Sequence, residues 1–224
     1  MAEIVWHAAG ARKYETGVDH GVLYHQDPTT GNYNAGFAWN GLISVTESPG
    51  GAESTKLYAD NIEYLNLVSA ETFSATIEAY TYPDEFAQND GSAEPVPGVT
   101  IGQQTRLPFG LAYRTRVGNE LLATDYGYKL HLIYGGQAAP TEKGYTTIND
   151  SPDAVTFSWE VSTTAVDVPG FKPTAQLTID STKVDAGALD ALEDILYGRG
   201  AGGTPRLPKP AEVFALFEDF DPTP

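Results

Sequence analysis

Residues 71–80 read "ETFSATIEAY", and the alternation in them decides the fold class. With a period of two, Phe73, Ala75, Ile77 and Ala79 go to one side and Thr72, Ser74, Thr76, Glu78 and Tyr80 to the other, as in a half-buried β-strand. The apolar row is a core row. The opposite row carries short hydroxyls and one acid, with no Lys or Arg. The pattern returns in "AVTFSWEVSTTAV" (154–166), where Val155, Phe157, Trp159 and Val161 oppose Thr156, Ser158, Glu160 and Ser162.

Outward from these two segments, further strand patterns occur at "GVLYHQ" (21–26), "GFAWNGLISVTE" (36–47), "IEYLNLV" (62–68), "FGLAYRTRV" (109–117), "YKLHLIYG" (128–135) and "TAQLTIDS" (174–181). Asn40-Gly41 sits between apolar runs, the signature of a primed hairpin turn or a bulge. "SPGGAESTK" (48–56) has loop composition, and 83–108 is a long stretch with little period, of a length that is usually functional. Thirteen Tyr, nine Phe, 23 Gly and 15 Pro favour an all-β domain with many turns.

One helix is expected, over about 185–197. Asp185 is a good N-cap, Val184 and Leu189 can form a hydrophobic staple, and Gly198 is a fitting stop. Leu189, Leu192, Ile195 and Leu196 form its apolar face, so it should pack on a sheet. The chain thus divides into an N-terminal arm (1–20), a β domain (21–198), and a linker with a C-terminal tail (199–224). In the tail, Val213, Leu216, Phe217 and Phe220 have helical spacing and suit docking on the same domain or on a neighbour.

The 224 residues can bury a core without staples. Cysteine is absent, which excludes disulfides and thiolate metal sites. Thirty acidic against thirteen basic residues give a formal charge of −17, so tight binding of nucleic acid is not expected. The N-terminus lacks a basic lead and an apolar run, and no segment approaches the ~20 apolar residues that span a bilayer. A soluble protein made in a cytoplasm is expected.

Residue patterns that mark chemistry are few. His20 and His25, with Asp19 and Asp27 nearby, invite a metal reading, but their odd separation sends them to opposite faces of a strand. Carboxylate pairs for glycoside hydrolysis can be assembled from Glu78, Glu160 and others, but no motif selects one. Phosphate-cradling loops, nucleophile elbows and zinc-protease helices are absent. "GAGGTPR" follows a helix and suits a linker, and Asn149 in "NDS" is an acceptor only in a secreted protein. Trp39, Tyr58, Tyr64, Tyr80 and Tyr82 can stack on sugars, although strand aromatics serve packing more often. No catalytic residue, metal or cofactor is expected. The default is a non-enzymatic interaction or structural protein.

Four segments matter together: 38–87 ("AWNGLISVTESPGGAESTKLYADNIEYLNLVSAETFSATIEAYTYPDEFA"), 110–119 ("GLAYRTRVGN"), 128–164 ("YKLHLIYGGQAAPTEKGYTTINDSPDAVTFSWEVSTT") and 205–217 ("PRLPKPAEVFALF"). In this order they resemble the major tail protein, or tail tube protein, of long-tailed bacteriophages of the siphophage type, from about residue 18 to 217. The resemblance implies a β-sandwich or partial barrel flanked by one helix, with long loops. It implies a structural virion protein whose hexameric rings stack into a tube for DNA ejection. The implied partners are further copies of itself, the tape-measure protein, the tail initiator and terminator proteins, and phage DNA that passes without specific binding. The implied location is the virion tail, with the host cytoplasm before assembly, and no membrane.

On this reading Thr72, Ser74, Thr76, Glu78, Thr156, Ser158, Glu160 and Ser162 face the bore or a subunit seam; the plainer alternative is a solvated sheet face. Ser48, Pro49, Gly50, Gly51 and Glu53, with Phe86, Val96, Pro97 and Ile101, are candidate inter-subunit loop residues. The competing readings are a carbohydrate-binding or adhesin-like β module and, more distantly, an acidic glycosidase.

Overall fold

The computed structural model describes residues 4, 6–148, 153–200 and 203–218. Asn149 and Phe220, singled out above, lie outside the described residues. The chain is mainly β. In order it forms β1 (Lys13–Gln26), β2 (Tyr33–Trp39), β3 (Leu42–Gly51), β4 (Ser54–Ala59), β5 (Ile62–Val68) and β6 (Glu71–Ala79). A 3-10 turn (Asp84–Gln88) follows, then β7 (Ala93–Val96), β8 (Val99–Ile101), β9 (Phe109–Asn119), β10 (Ala123–Ala138), β11 (Phe157–Thr163) and β12 (Gln176–Asp180), and finally α1 (Ala186–Tyr197) and α2 (Pro210–Glu218).

Eight strands build one antiparallel sheet in the order β2-β1-β9-β10-β11-β6-β3, with β12 also on β10. β2 and β3 lie at opposite ends of that order, yet only Asn40 and Gly41 separate them in sequence. A two-residue link joins opposite edges only if the sheet curls back on itself, so the architecture is a partial barrel. Gly21 marks the closure, since a Cβ there would lie 2.2 Å from the Leu42 side chain. Asn40-Gly41 is therefore a corner and not a hairpin: β2 pairs with β1 and β3 with β6. The primed turn lies at Asp60 and Asn61, both with positive φ, between β4 and β5.

Curling creates two cores. Inside the barrel, Leu23, Trp39, Ile77, Phe109, Leu111, Ile133, Trp159 and Val161 pack together. Outside, α1 and α2 cover a second cluster built on Val22, Tyr24, Ala112, Leu130, Leu132 and Tyr134. Strands β1, β9 and β10 are thus apolar on both faces, which is why "YKLHLIYG" lacks alternation. The α1 expectation holds: Asp185 caps Gly187 and Ala188 at 2.7 and 3.0 Å, and Gly198 closes the helix with φ +65. α2 docks on its own domain through Val213, Leu216 and Phe217. Buried hydroxyls tie the helical layer down, with Tyr24 donating to Leu196 O at 2.7 Å and Tyr134 to Pro208 O at 2.9 Å.

Three loop expectations need correction. The arm is not free up to residue 20, because β1 starts at Lys13 and pairs with β9. Ser48, Pro49, Gly50 and Gly51 are not loop residues. They continue β3 opposite Ser74, Phe73, Thr72 and Glu71, because backbone pairing with β6 outweighs their turn propensity. The 83–108 stretch is not a free loop either. Phe86 is fully buried, stacked among Trp39, Phe109 and Trp159, so it anchors the segment and cannot meet a neighbour.

Candidate functional site

The two segments with polar rows, far apart in sequence, are neighbours in the sheet. Glu78 faces Ser158, Thr76 faces Glu160, and Ser74 faces Ser162 across β6 and β11. On the other side of β6, Ser44, Thr46, Ser48 and Gly50 of β3 face Glu78, Thr76, Ser74 and Thr72. The outcome is a three-stranded outer face of hydroxyls and carboxylates, and none of the three strands contains a Lys or Arg. Thr156 stands just before β11 and is exposed. The apolar row turns inward as expected: Ala75, Ile77, Trp159 and Val161 are buried, and Phe73 and Phe157 pack against the inner core.

Local bonds hold this wall's side chains in place. Ser44 Oγ donates to Glu78 Oε2 at 2.8 Å, and Ser74 Oγ donates to Ser48 O at 2.9 Å. Thr163 Oγ1 donates to Phe73 O at 2.6 Å, which pins β11 to β6. Ser44 and Ser74 thus spend their donors within the sheet. None of the three strands offers phosphates a cation.

From the end of β3 the β4–β5 hairpin projects, and every residue in both strands is exposed. Its register puts Thr55, Leu57, Ala59, Ile62, Leu65 and Leu67 on one face. Glu53 lies at its base, where Ser69 Oγ accepts from its N–H at 2.9 Å. Val96 and Ile101 are exposed on the small β7–β8 hairpin, with Pro97 in its turn. Of the possible sugar platforms, Trp39 is buried and Tyr82 packs on Phe86, Phe157 and Trp159; Tyr58, Tyr64 and Tyr80 remain exposed.

A polar cluster that strand patterns did not reveal closes the barrel's interior. Glu47, on the inward row of β3, accepts from Tyr113 Oη of β9 and from Gln176 Nε2 of β12, and lies 3.1 Å from His131 Nδ1 of β10. His131 stacks flat on Tyr113 at 4.7 Å, and its Nε2 lies 2.9 Å from Thr115 Oγ1. The hydrogen bond from His131, joined by those from Tyr113 and Gln176, outweighs partial burial and lowers the Glu47 pKa to about 2. Burial and the Glu47 charge push the Tyr113 hydroxyl well above its ordinary range. The signal in sequence was only a Glu at an inward position of a strand, and its partners come from three distant strands.

A second charged cluster surrounds Asp19. On the outer face, Asp19 is held by Arg114 at 2.7 Å and Arg116 at 3.1 Å, with His20 beside it. Burial opposes the Asp19 charge, but these partners overcome it and lower its pKa to about 2. His25 Nε2 lies 3.0 Å from Glu85 O, so the two histidines serve separate contacts. Among the described residues, no group of three His, Asp or Glu is placed to hold a metal ion, and no helix is long and apolar enough to cross a membrane. Compared with protein-family models the chain matches none, and no curated protein matches it.

Proposed function

We propose that this chain is a major tail tube subunit, a structural virion protein that polymerises into stacked hexameric rings through which phage DNA is delivered. The reading rests first on the ordered resemblance over nearly the whole sequence. The structural observation that carries it is the outer face of β3, β6 and β11, where three adjacent strands present hydroxyls and acids without one Lys or Arg. A conduit must not hold its cargo, and each inward cation would attract a phosphate and slow passage. Screening at 0.1 M salt acts over about 10 Å, so wall charges matter while distant ones do not. In this reading Glu78 and Glu160 line the bore, and the exposed β4–β5 hairpin meets a neighbouring subunit. Head-to-tail contacts then close each ring and extend the stack.

Negative-stain microscopy of the purified chain with its tail initiator proteins tests the assembly: rings or tubes are expected, and a protein that stays monomeric would overturn it. The double substitution Glu78→Lys with Glu160→Lys tests the wall. Tubes should persist while genome delivery falls; unchanged delivery would remove the wall from the bore.

A further inference from the structure

Beside the wall, where the 83–108 segment meets β11, a charged group is held in aromatic surroundings. Lys143 Nζ donates to Asp90 Oδ2 at 2.7 Å and sits 5.3 Å from the Tyr82 ring centroid and 5.9 Å from that of Phe157. The two rings stand perpendicular to each other, 5.3 Å apart, and Trp159 packs against both. Asp90 is only 8% exposed. Its other oxygen accepts from Trp159 Nε1 at 3.1 Å, and Arg106 approaches to 3.7 Å. A carboxylate with two ring faces about 6 Å from one point is a receptor for an ammonium group. Burial works against the charge of Lys143, but Asp90 more than offsets this and raises its pKa.

Host and guest are attached to the fold very differently. Trp159 and Phe157 belong to β11, Tyr82 follows β6, and Asp90 follows the turn that Phe86 anchors in the core. Lys143 belongs to 139–148, which has no strand or helix. Between described residues, segment 140–148 makes one hydrogen bond, that from Lys143 to Asp90. Two polar atoms next to this arrangement in sequence are buried without partners: Thr141 Oγ1 on the guest segment and Asn89 Oδ1 beside Asp90. Lys143 thus sits on an irregular segment, against groups that the sheet and the anchored turn hold in place.

We infer that Asp90, Tyr82 and Phe157 form a binding site for a primary alkylammonium group, which Lys143 occupies in cis and from which it can be exchanged. The inference stands apart from the tail-tube reading. The same chemistry is offered by a lysine of a second copy and by a free amine. Exchange between copies would restore in trans the hydrogen bond and ring packing that Lys143 gives up in cis, as in domain swapping.

The test uses Lys143→Met, which keeps an apolar stem and removes the charge, with folding checked by circular dichroism. Titration with n-butylammonium chloride, against potassium chloride as the salt control, should change tryptophan fluorescence saturably in this variant and not in the wild type. Adding Asp90→Asn should weaken binding about tenfold or more, because the ammonium then meets a neutral amide in place of a buried carboxylate. No saturable response in folded Lys143→Met, or equal binding by the double variant or the wild type, would overturn the inference. Lys143→Gln serves the same titration if the Met variant does not fold; failure of both to fold would show the ammonium to be an obligatory part of the core and would also overturn it. Mixing Lys143→Met with Asp90→Asn separates the sources. A heterodimer by native mass spectrometry assigns the ligand to a second copy, and its absence beside butylammonium binding assigns it to a free amine.

Discussion

The two halves of the curled sheet obey different rules. In the helix-backed half, β1, β9 and β10 are covered on both faces: Leu23, Leu111 and Ile133 point into the barrel while Tyr24, Ala112 and Leu132 meet the helical layer. In the open half, β3, β6 and β11 are covered only from inside, and their outer face is the polar wall. Alternation in an antiparallel strand therefore reports how many covers it has, and its loss in "YKLHLIYG" marks the position of the helices.

The two halves share one interior, so the largest effect should come from the side chain that joins them. Trp159 is fully buried on β11 and packs on Trp39 and Phe86. Trp159→Ala should cost about 3–5 kcal/mol in chemical denaturation. On the helical side, Leu192→Ala should cost about 2–5 kcal/mol by the same measure, because Leu192 fills the outer cluster without touching the wall. A much smaller loss would show that the helices add little to the fold, which would break the comparison.

Glu47 links the halves electrostatically, running from β3 to β9, β10 and β12. Its pKa falls from the ordinary 4.5 to about 2 on folding, so its contribution is complete above about pH 4.5 and is lost as pH falls toward 2. Glu47→Gln should lower stability at neutral pH and flatten the decline between those values in denaturation curves taken across pH. An unchanged acid slope would mean that other carboxylates govern it, Asp19 first among them.

Smaller again, Asp185→Ala removes the α1 cap and should cost about 1 kcal/mol in thermal or chemical unfolding. The smallest effect belongs to the wall itself. Ser162→Ala, at an exposed outward position, should change stability by no more than about 0.5 kcal/mol. Near-neutrality there beside large losses inside would sharpen the contrast between an outer face that does not pack and an inner face that does.

The strand patterns at 71–80 and 154–166, the α1 cap and the inward rows were legible in the sequence because alternation and capping are local. Each depends on residues within one element. Longer-range features were hidden. "SPGG" has turn composition yet continues β3, since the partner strand and not local propensity decides pairing. Phe86 sat in an aperiodic stretch with nothing to mark it as core. Glu47, Tyr113, His131 and Gln176 lie on four strands, and no spacing rule brings them together.

"ETFSATIEAY" by itself determined that a strand exists, which residues face the core, and that the opposite face lacks positive charge, because side-chain direction alternates strictly along an extended chain. The fold alone decided that this face is three strands wide. Curling of the sheet placed β11 and β3 on the two sides of β6, and the hydrogen-bond register aligned Ser158 and Ser44 with Glu78.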